Sequence, residues 1–224
     1  GGLEDDQGNR RMFFMDSAEM LGLGQVSLKT VGWSTGFADF DNDGLDDLWV
    51  VNGHTLEEEQ DATRLRSQHM QLFRQVPGEG FFDLGEAAGE SLATPLVGRG
   101  GASADFDRDG LVDLLVVEQG GAPRLLHNVS ELAGNHLTVQ LRQTPPNTRA
   151  LGAIVRVRSG DITQMRQIGG QAAYLSQDML DVHFGLGDFE VADLEVTWPD
   201  GMVSEHRQIP AGSSVRIVRP EAGD

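Results

Sequence analysis

The sequence predicts an all-β chain: a partial β-propeller of about two four-stranded blades, followed by a small β-sandwich. Three observations carry this. The 224 residues include 29 glycines and few stretches of helical periodicity, a combination that favours many short strands joined by tight turns. A segment of the first half recurs at a fixed offset of 66 residues. The second half then changes to plain apolar–polar alternation broken by glycine turns.

The repeat organises residues 1–129. Asp39-Phe40-Asp41-Asn42-Asp43-Gly44-Leu45-Asp46-Asp47-Leu48-Trp49-Val50-Val51 returns as Asp105-Phe106-Asp107-Arg108-Asp109-Gly110-Leu111-Val112-Asp113-Leu114-Leu115-Val116-Val117. A second pattern, Phe14-x-Asp16-x-x-Glu19-x-x-Gly22, returns as Phe81-x-Asp83-x-x-Glu86-x-x-Gly89 at an offset of 67. Each unit enters the acidic loop on a small-residue strand (Gly36 to Ala38; Ala102 to Ala104) and leaves it on a β-branched or aromatic one (Leu48 to Val51; Leu114 to Val117). Strands at Met70 to Arg74 and Phe81 to Leu84 complete four per unit, the content of a propeller blade. Between them, Thr55 to Arg66 reads as a polar insertion with a helical turn opened by a Thr55-x-x-Glu58 capping box, its Glu57-Glu58-Glu59 run a solvated face. A propeller closes with about four to eight blades, so further blades are expected upstream in a longer parent chain. The start at Gly1-Gly2-Leu3, without Met, agrees with an excised or processed piece.

The acidic loops are the strongest chemical signal. Asp39, Asp41, Asp43 and Asp47 occupy positions 1, 3, 5 and 9, with Gly44 at 6 for the sharp turn and the Leu45 carbonyl at 7. Asp105, Asp107, Asp109, Gly110, the Leu111 carbonyl and Asp113 repeat the arrangement. Several hard, mostly anionic oxygens in a flexible loop suit Ca²⁺ better than Zn²⁺ or Mg²⁺, so two Ca²⁺ sites are expected. An EF-hand fails at position 12, where Val50 and Val116 stand in place of the bidentate Glu. A metal-free Asp-Gly turn is the plain alternative, and the matched pair of loops weighs against it. Asp46 has no acidic counterpart, since Val112 stands there, and reads as a solvent-facing charge.

The D-x-D-x-D-G-x-x-D loop between these two kinds of strand resembles the FG-GAP/VCBS repeats of integrin-α-type propellers, which implies calcium at the matching aspartates. Asn52-Gly53-His54 and the Phe-x-Asp…Gly pattern are similar to repeats of bacterial relatives of cartilage acidic protein.

Residues 130–224 form a second domain after a linker around Ser130 to Asn135. Alternation runs through Leu137, Val139 and Leu141; Ile154 and Val157; Ile162, Met165 and Ile168; Leu194, Val196 and Trp198; and Val215 and Ile217. Turns at Ser159-Gly160, Gly169-Gly170 and Pro199-Asp200-Gly201 separate about seven strands, as in a small sandwich. Gly152-Ala153-Ile154-Val155, Gly169-Gly170, Tyr174-Leu175-Ser176-Gln177, His183-Phe184-Gly185-Leu186-Gly187 and Val196-Thr197-Trp198-Pro199-Asp200-Gly201 together resemble the ASPIC/UnbV domain. Tyr174, Ser176, Gln177 and His183 are candidates for a ligand site there, against the plainer reading of turn glycines and core strands.

Composition limits the function. Net charge is −18 and Lys29 is the one lysine, which argues against nucleic acid or an anionic membrane as partner. Residues 1–130 hold 23 acids and 9 bases, whereas 131–224 hold 12 and 8, so the acidity belongs to the repeats. No apolar run approaches the ~18 residues of a membrane span, and the absence of cysteine removes disulfides and thiolate chemistry. Gly32-Trp33-Ser34-Thr35-Gly36 matches the nucleophile elbow, but a strand and an acidic loop follow it instead of a helix, and its repeat counterpart to Ser34 is Gly100. The six histidines show no ligand spacing, and Asn128-Val129-Ser130 is a glycosylation sequon of low specificity. The expectation is a non-enzymatic, calcium-binding recognition or adhesion module, extracellular, on the cell surface or periplasmic, with a protein or carbohydrate ligand. The alternative is a non-catalytic accessory or substrate-binding part of a secreted enzyme acting on polysaccharide or natural products.

Overall fold

The computed structural model describes residues 2–4, 10–12, 14–131 and 133–221, so the outer ends of both expected domains fall partly outside the described residues. Strand β1 (Gly2–Glu4) pairs antiparallel with β2 (Arg10–Met12). The first large sheet follows, from β3 (Gly32–Ala38), β4 (Asp47–Asn52), the small hairpin β5 (Glu57–Glu58) and β6 (Asp61–Leu65), β7 (Gln71–Val76) and β8 (Gly80–Asp83). Its four strands lie in the order β3-β4-β7-β8, all antiparallel. A second sheet, ordered β11-β10-β9, comprises β9 (Gly98–Ala104), β10 (Asp113–Glu118) and β11 (Arg124–Leu126).

The repeat extends to backbone register. Ala38 faces Asp47 as Ala104 faces Asp113, Gly36 faces Trp49 as Ala102 faces Leu115, and Gly32 faces Asn52 as Gly98 faces Glu118. The register slips at the same place in both hairpins, between Gly32 and Ser34 and between Val117 and Glu118. Each acidic loop therefore hangs from an equivalent pair of strand ends.

The strands that enter the loops are poor in side chains because Trp49 occupies the space beside them. A Cβ on Gly36 would lie 2.6 Å from Trp49 Cζ2, and one on Gly101 would lie 2.6 Å from Cζ3, so the ring is wedged between the first strands of both sheets. Trp49, Val51, Met70, Leu96, Leu114 and Val116 form the core of this half, each at most 5% exposed.

Two expectations change here. The insertion at Thr55 to Arg66 is the hairpin β5–β6, not a helical turn. His54 Nδ1 accepts the Thr55 and Leu56 N–H groups at 2.9 and 3.0 Å, and Arg66 N donates to Leu56 O at 3.0 Å, closing a ladder. The second sheet has three strands among the described residues instead of four. After β11 the chain is tied down by Asn128, whose side chain donates to Phe40 O at 2.8 Å and Val112 O at 3.1 Å, and it leaves toward the second half.

That half comprises β12 (Asn135–Arg142), β13 (Ile154–Ser159), β14 (Ile162–Gln167), the short hairpin β15 (Ala172–Ala173) and β16 (Ser176–Gln177), β17 (Val182–Gly187), β18 (Val191–Thr197), β19 (Val203–Pro210) and β20 (Ser213–Val218). A three-stranded sheet, β17-β12-β20, is antiparallel on one side of β12 and parallel on the other. A four-stranded sheet, β14-β13-β18-β19, is antiparallel throughout. Both contribute to one core, with Leu137, Val139 and Leu141 from β12, Phe184 and Leu186 from β17, Val155 and Val157 from β13, and Leu194 and Val196 from β18. Trp198 is buried with them, its indole N–H donating to Ser204 Oγ at 3.0 Å. On β13 the inward phase is Val155 and Val157, so Ile154 is only partly buried. Ile162 and Met165 of β14 are exposed, since β14 is an edge strand whose apolar residues do not all turn inward.

Hairpin β15–β16 packs across β3 and β9 of the first half. Ser176 Oγ lies 3.3 Å from Ser34 Oγ, and Asp178 Oδ1 accepts Ser103 N–H at 2.7 Å. Tyr174 meets Trp33 edge-on at 4.8 Å between centroids, while the Arg99 guanidinium covers the Trp33 ring at 4.3 Å.

Gly101→Ala forces a Cβ against the Trp49 ring and should destabilise the chain by about 1–3 kcal/mol without altering its far-ultraviolet spectrum. Urea unfolding followed by circular dichroism measures this, and an unchanged midpoint would show that Trp49 can yield.

Candidate metal centre

Both acidic loops turn through left-handed backbone at the same two positions: Asn42 (φ 57°) and Gly44 (φ 89°) in the first, Arg108 (φ 66°) and Gly110 (φ 91°) in the second. Asn and Gly adopt this conformation at little cost. In the first loop Asp39 accepts the Asp43 and Gly44 N–H groups at 3.1 and 2.8 Å, and Asp43 accepts Leu45 N–H at 2.9 Å. The second loop is similar, with one donor shifted by a residue: Asp105 accepts Arg108 and Gly110 N–H at 2.7 and 3.1 Å, and Asp109 accepts Leu111 N–H at 2.8 Å.

Three of the four aspartates in each loop converge. Carboxylate oxygens of Asp39, Asp41 and Asp43 lie within 4.8 Å of one another, and so do those of Asp105, Asp107 and Asp109. The fourth of each set sits behind as a bracket. Asp47 accepts N–H from Phe40 at 3.3 Å and Gln75 at 2.9 Å; Asp113 accepts from Phe106 at 3.0 Å and Asn128 at 2.8 Å. Leu45 and Leu111 sit at the turn that follows the third aspartate. His127, carried alongside by β11, places Nδ1 3.1 Å from Asp113 Oδ1 and forms a further ligand-capable group with Asp107 and Asp113.

The donor set fits a hard cation. Every candidate side-chain ligand in the first loop is a carboxylate, and Asp41 Oδ1 is buried without a hydrogen-bond partner, an anionic oxygen that a cation would satisfy. Burial, reinforced by the charges of Asp43, Asp41 and Asp47 and opposed by the Gly44 N–H, pushes the Asp39 carboxyl up to about 7. Burial likewise raises Asp47 to about 6 against the N–H of Gln75, with Asp41 and Asp43 adding to the rise. Burial raises Asp105 too, opposed by N–H donation from Gly110 and Arg108. Arg74 reaches Asp41 at 2.7 Å and Asp43 at 3.6 Å, supplying part of the missing positive charge.

The two loops differ in their surroundings. Asp39 and Asn42 are 2% and 1% exposed, because β17 lies across the first loop, whereas Asp107 in the second is half exposed. Asn42 joins three parts of the chain. Its Nδ2 donates to Gly110 O in the second loop at 3.0 Å, its Oδ1 accepts His183 Nε2–H at 2.7 Å, and its carbonyl accepts Gly187 N–H at 2.7 Å. This fixes the His183 proton on Nε2 and leaves Nδ1 to face Thr138 Oγ1 at 3.4 Å. Gly185 is glycine because a Cβ there would collide with the Asp39 carboxylate and come within 2.6 Å of the Asn42 backbone. Asp46 is not a free surface charge: it is only partly exposed and forms an ion pair with Arg166 of β14.

Three of the four candidate polar groups of the second half are engaged in holding the two halves together. His183 is held by Asn42, Ser176 by Ser34, and Tyr174 by Trp33. Ser34 itself is fully buried on an extended strand, so the elbow-like motif presents no nucleophile. The seam between the halves encloses a cavity of about 300 Å³ lined by Asp39, Asp46, Asp105, Asp178 and His183 among others. Asn42 is the residue of this arrangement that the sequence does not mark; the one signal is that the matched loop carries Arg108 in its place, while His183, a candidate from the sequence, is found bonded to it.

Residues 143–224 match the family described as ASPIC and UnbV. The chain is 32% identical over 173 residues to cartilage acidic protein 1 of Xenopus tropicalis, covering 74% of this chain and 25% of that protein. It is 31% identical over 197 residues to cartilage acidic protein 1 of Homo sapiens (84% and 28%), and 32% over 195 residues to that of Mus musculus (84% and 29%). The chain thus spans between a quarter and a third of the length of these curated relatives.

Asn42→Gly keeps the left-handed turn and removes the side-chain bonds to Gly110 and His183, so it should cost about 1–3 kcal/mol in urea unfolding. Burial, with smaller contributions from His136 and Arg166, depresses His183 from 6.5 to about 3. An unfolded histidine takes up a proton below about 6.5, so the stability that neutral His183 contributes is complete above that pH and is lost as pH falls toward 3. The raised carboxyls of Asp39, Asp46 and Asp47 act in the opposite sense. The contrast is therefore read between the parent and His183→Gln: melting in chelator at pH 7 and pH 5 should show a larger acid-induced drop in the parent.

Proposed function

We propose that this chain is a calcium-binding, non-catalytic module that works outside the cell in recognition or adhesion. In this reading residues 1–129 are two FG-GAP/VCBS-type propeller blades and residues 130–224 an ASPIC/UnbV-type sandwich. The observation that carries it is the pair of acidic loops suspended from identical strand register, each gathering three aspartates, with one buried carboxylate oxygen in the first left unpaired. Asp39, Asp41, Asp43, Asp47 and the Leu45 carbonyl hold one Ca²⁺; Asp105, Asp107, Asp109, Asp113 and the Leu111 carbonyl hold the other. When bound, calcium supplies the positive charge that lets these carboxylates stay ionised at close quarters.

A non-catalytic role is supported by how the titratable groups at the seam are used. Asp46 pairs with Arg166, Asp178 accepts Ser103 N–H, and His183 is fixed on Asn42, so each serves to hold the halves together. The name of these relatives, cartilage acidic protein, supports a place outside the cell and an acidic character like that of this chain. No helix among the described residues is long and apolar enough to cross a membrane. Partners of either protein or carbohydrate class suit the reading. The cavity of about 300 Å³ at the seam favours the second reading, a substrate-binding part of a secreted enzyme on polysaccharide or natural products. Retention of labelled oligosaccharides by the purified chain would favour it.

At ~1 mM Ca²⁺ and a dissociation constant of ~0.1 mM, each site should add about 1.4 kcal/mol to folding. Calorimetric titration should find two sites, Asp43→Ala and Asp109→Ala should each remove one, and chelation should lower the melting temperature. Absence of calcium uptake by the parent would end this reading.

A further inference from the structure

The first acidic loop faces the C-terminal half across a cavity lined by residues with unpaired oxygens. Among the described residues, six buried side-chain oxygen or nitrogen atoms have no hydrogen-bond partner, and three of them line one cavity of about 470 Å³ between the first acidic loop and the C-terminal sheets. These are Asp41 Oδ1, Ser159 Oγ and Gln164 Oε1. Ser159, at the end of β13, lines this cavity and is 4% exposed, its Oγ buried without a partner. Gln164, on β14, donates Nε2 to Gly185 O at 2.6 Å. That bond fixes the carboxamide orientation, since the reversed amide would set two carbonyl oxygens against each other. The same carboxamide lies over the loop, with Nε2 3.6 Å from the position a Cβ on Gly44 would take.

Two of these orphaned atoms are acceptors only, and the third is a hydroxyl that can accept. Leaving them dry costs about 1–3 kcal/mol each, and a hard cation with its coordinated water is the species that a carboxylate, a carboxamide oxygen and a hydroxyl satisfy together. The second loop also meets the C-terminal half, with His136 against Gly110, but none of the six orphaned atoms lies on it or lines the cavity beside it, where Gln140 is already paired with Asp181 and Arg216.

We propose that the cation site of the first loop is shared between the two halves of the chain, with Gln164 Oε1 and Ser159 Oγ joining the aspartates as oxygen donors, directly or through the cation's own water. This rests on the calcium reading above. It makes the two sites unequal: loading the first draws Gln164 and Ser159 of the C-terminal half onto its cation, while the second loop meets that half without an unpaired oxygen donor.

The test is calorimetric titration of CaCl₂ into the chelator-treated full chain. In an Asp109→Ala background, where only the first loop reports, Gln164→Met should weaken calcium binding about tenfold, and Ser159→Ala should weaken it in the same direction. Gln164→Glu, which adds an anionic oxygen, should tighten it. In an Asp43→Ala background Gln164→Met should leave the remaining site unchanged. Melting curves in chelator identify any variant that fails to fold, and Ser159→Ala then carries the comparison. Unchanged first-loop affinity in both Gln164→Met and Ser159→Ala overturns the proposal. Equal losses in Gln164→Met and Gln164→Glu also overturn it, because they assign Gln164 only to its bond with Gly185. If the parent binds no calcium, the metal reading fails and this proposal falls with it; if the parent binds two ions and Gln164 and Ser159 are silent, only the sharing is wrong.

Discussion

Like charges held close together at a buried seam are the constraint around which this molecule is arranged. Two carboxylates within ~4 Å repel by about 1 kcal/mol in water and about 4 kcal/mol near a protein surface. The first loop gathers three within 4.8 Å of one another and buries one of them, Asp39, under β17. The fold answers with oriented backbone N–H groups on Asp39 and Asp47, with Arg74 on Asp41 and Asp43, and with Arg166 on Asp46. Each of these depends on something farther away. The N–H groups require left-handed turns at Asn42 and Gly44, Arg74 requires the pairing of β7 with β4, and Arg166 requires the whole C-terminal half to be docked.

The same economy of space runs through both halves. Glycine is used where backbone must approach backbone or a ring: Gly36 and Gly101 on either side of Trp49, Gly185 and Gly134 against the Asn42 turn. A strand of small residues would be weak by propensity alone. Here it is sustained by the indole it embraces, and its low profile lets the first strands of two sheets and a hairpin from the second half come together.

Much of this was legible in the sequence where the pattern was local. The two acidic loops, the strands flanking them and the turns at Gly160, Gly169 and Gly201 follow from spacing and residue type, since each is fixed by neighbours a few positions away. The alternation of Leu137, Val139 and Leu141, all buried in one core, was legible for the same reason. What the sequence concealed depends on contacts between distant segments. Asn42 looks like a spacer between aspartates until His183, 141 residues later, is brought to its side chain. Asp46 looks like a surface charge until β14 delivers Arg166. The capping-box pattern at Thr55 is local too, yet it loses to a ladder closed by Arg66, where tertiary pairing overrides a weak helical preference. Equal loops in sequence are unequal in space because β17 buries Asp39 and Asn42 of the first, while Asp107 of the second stays half exposed.

The three tryptophans are distributed so that each belongs to a different part of this arrangement. Trp49 lies in the core of the repeats, Trp198 in the core of the C-terminal half, and Trp33 at the seam, under Arg99 and against Tyr174. The chain therefore carries an intrinsic optical reporter for each half and one for their contact. Variants retaining one indole at a time would resolve, by fluorescence alone, whether the halves part before either melts or whether the molecule unfolds as a single cooperative unit.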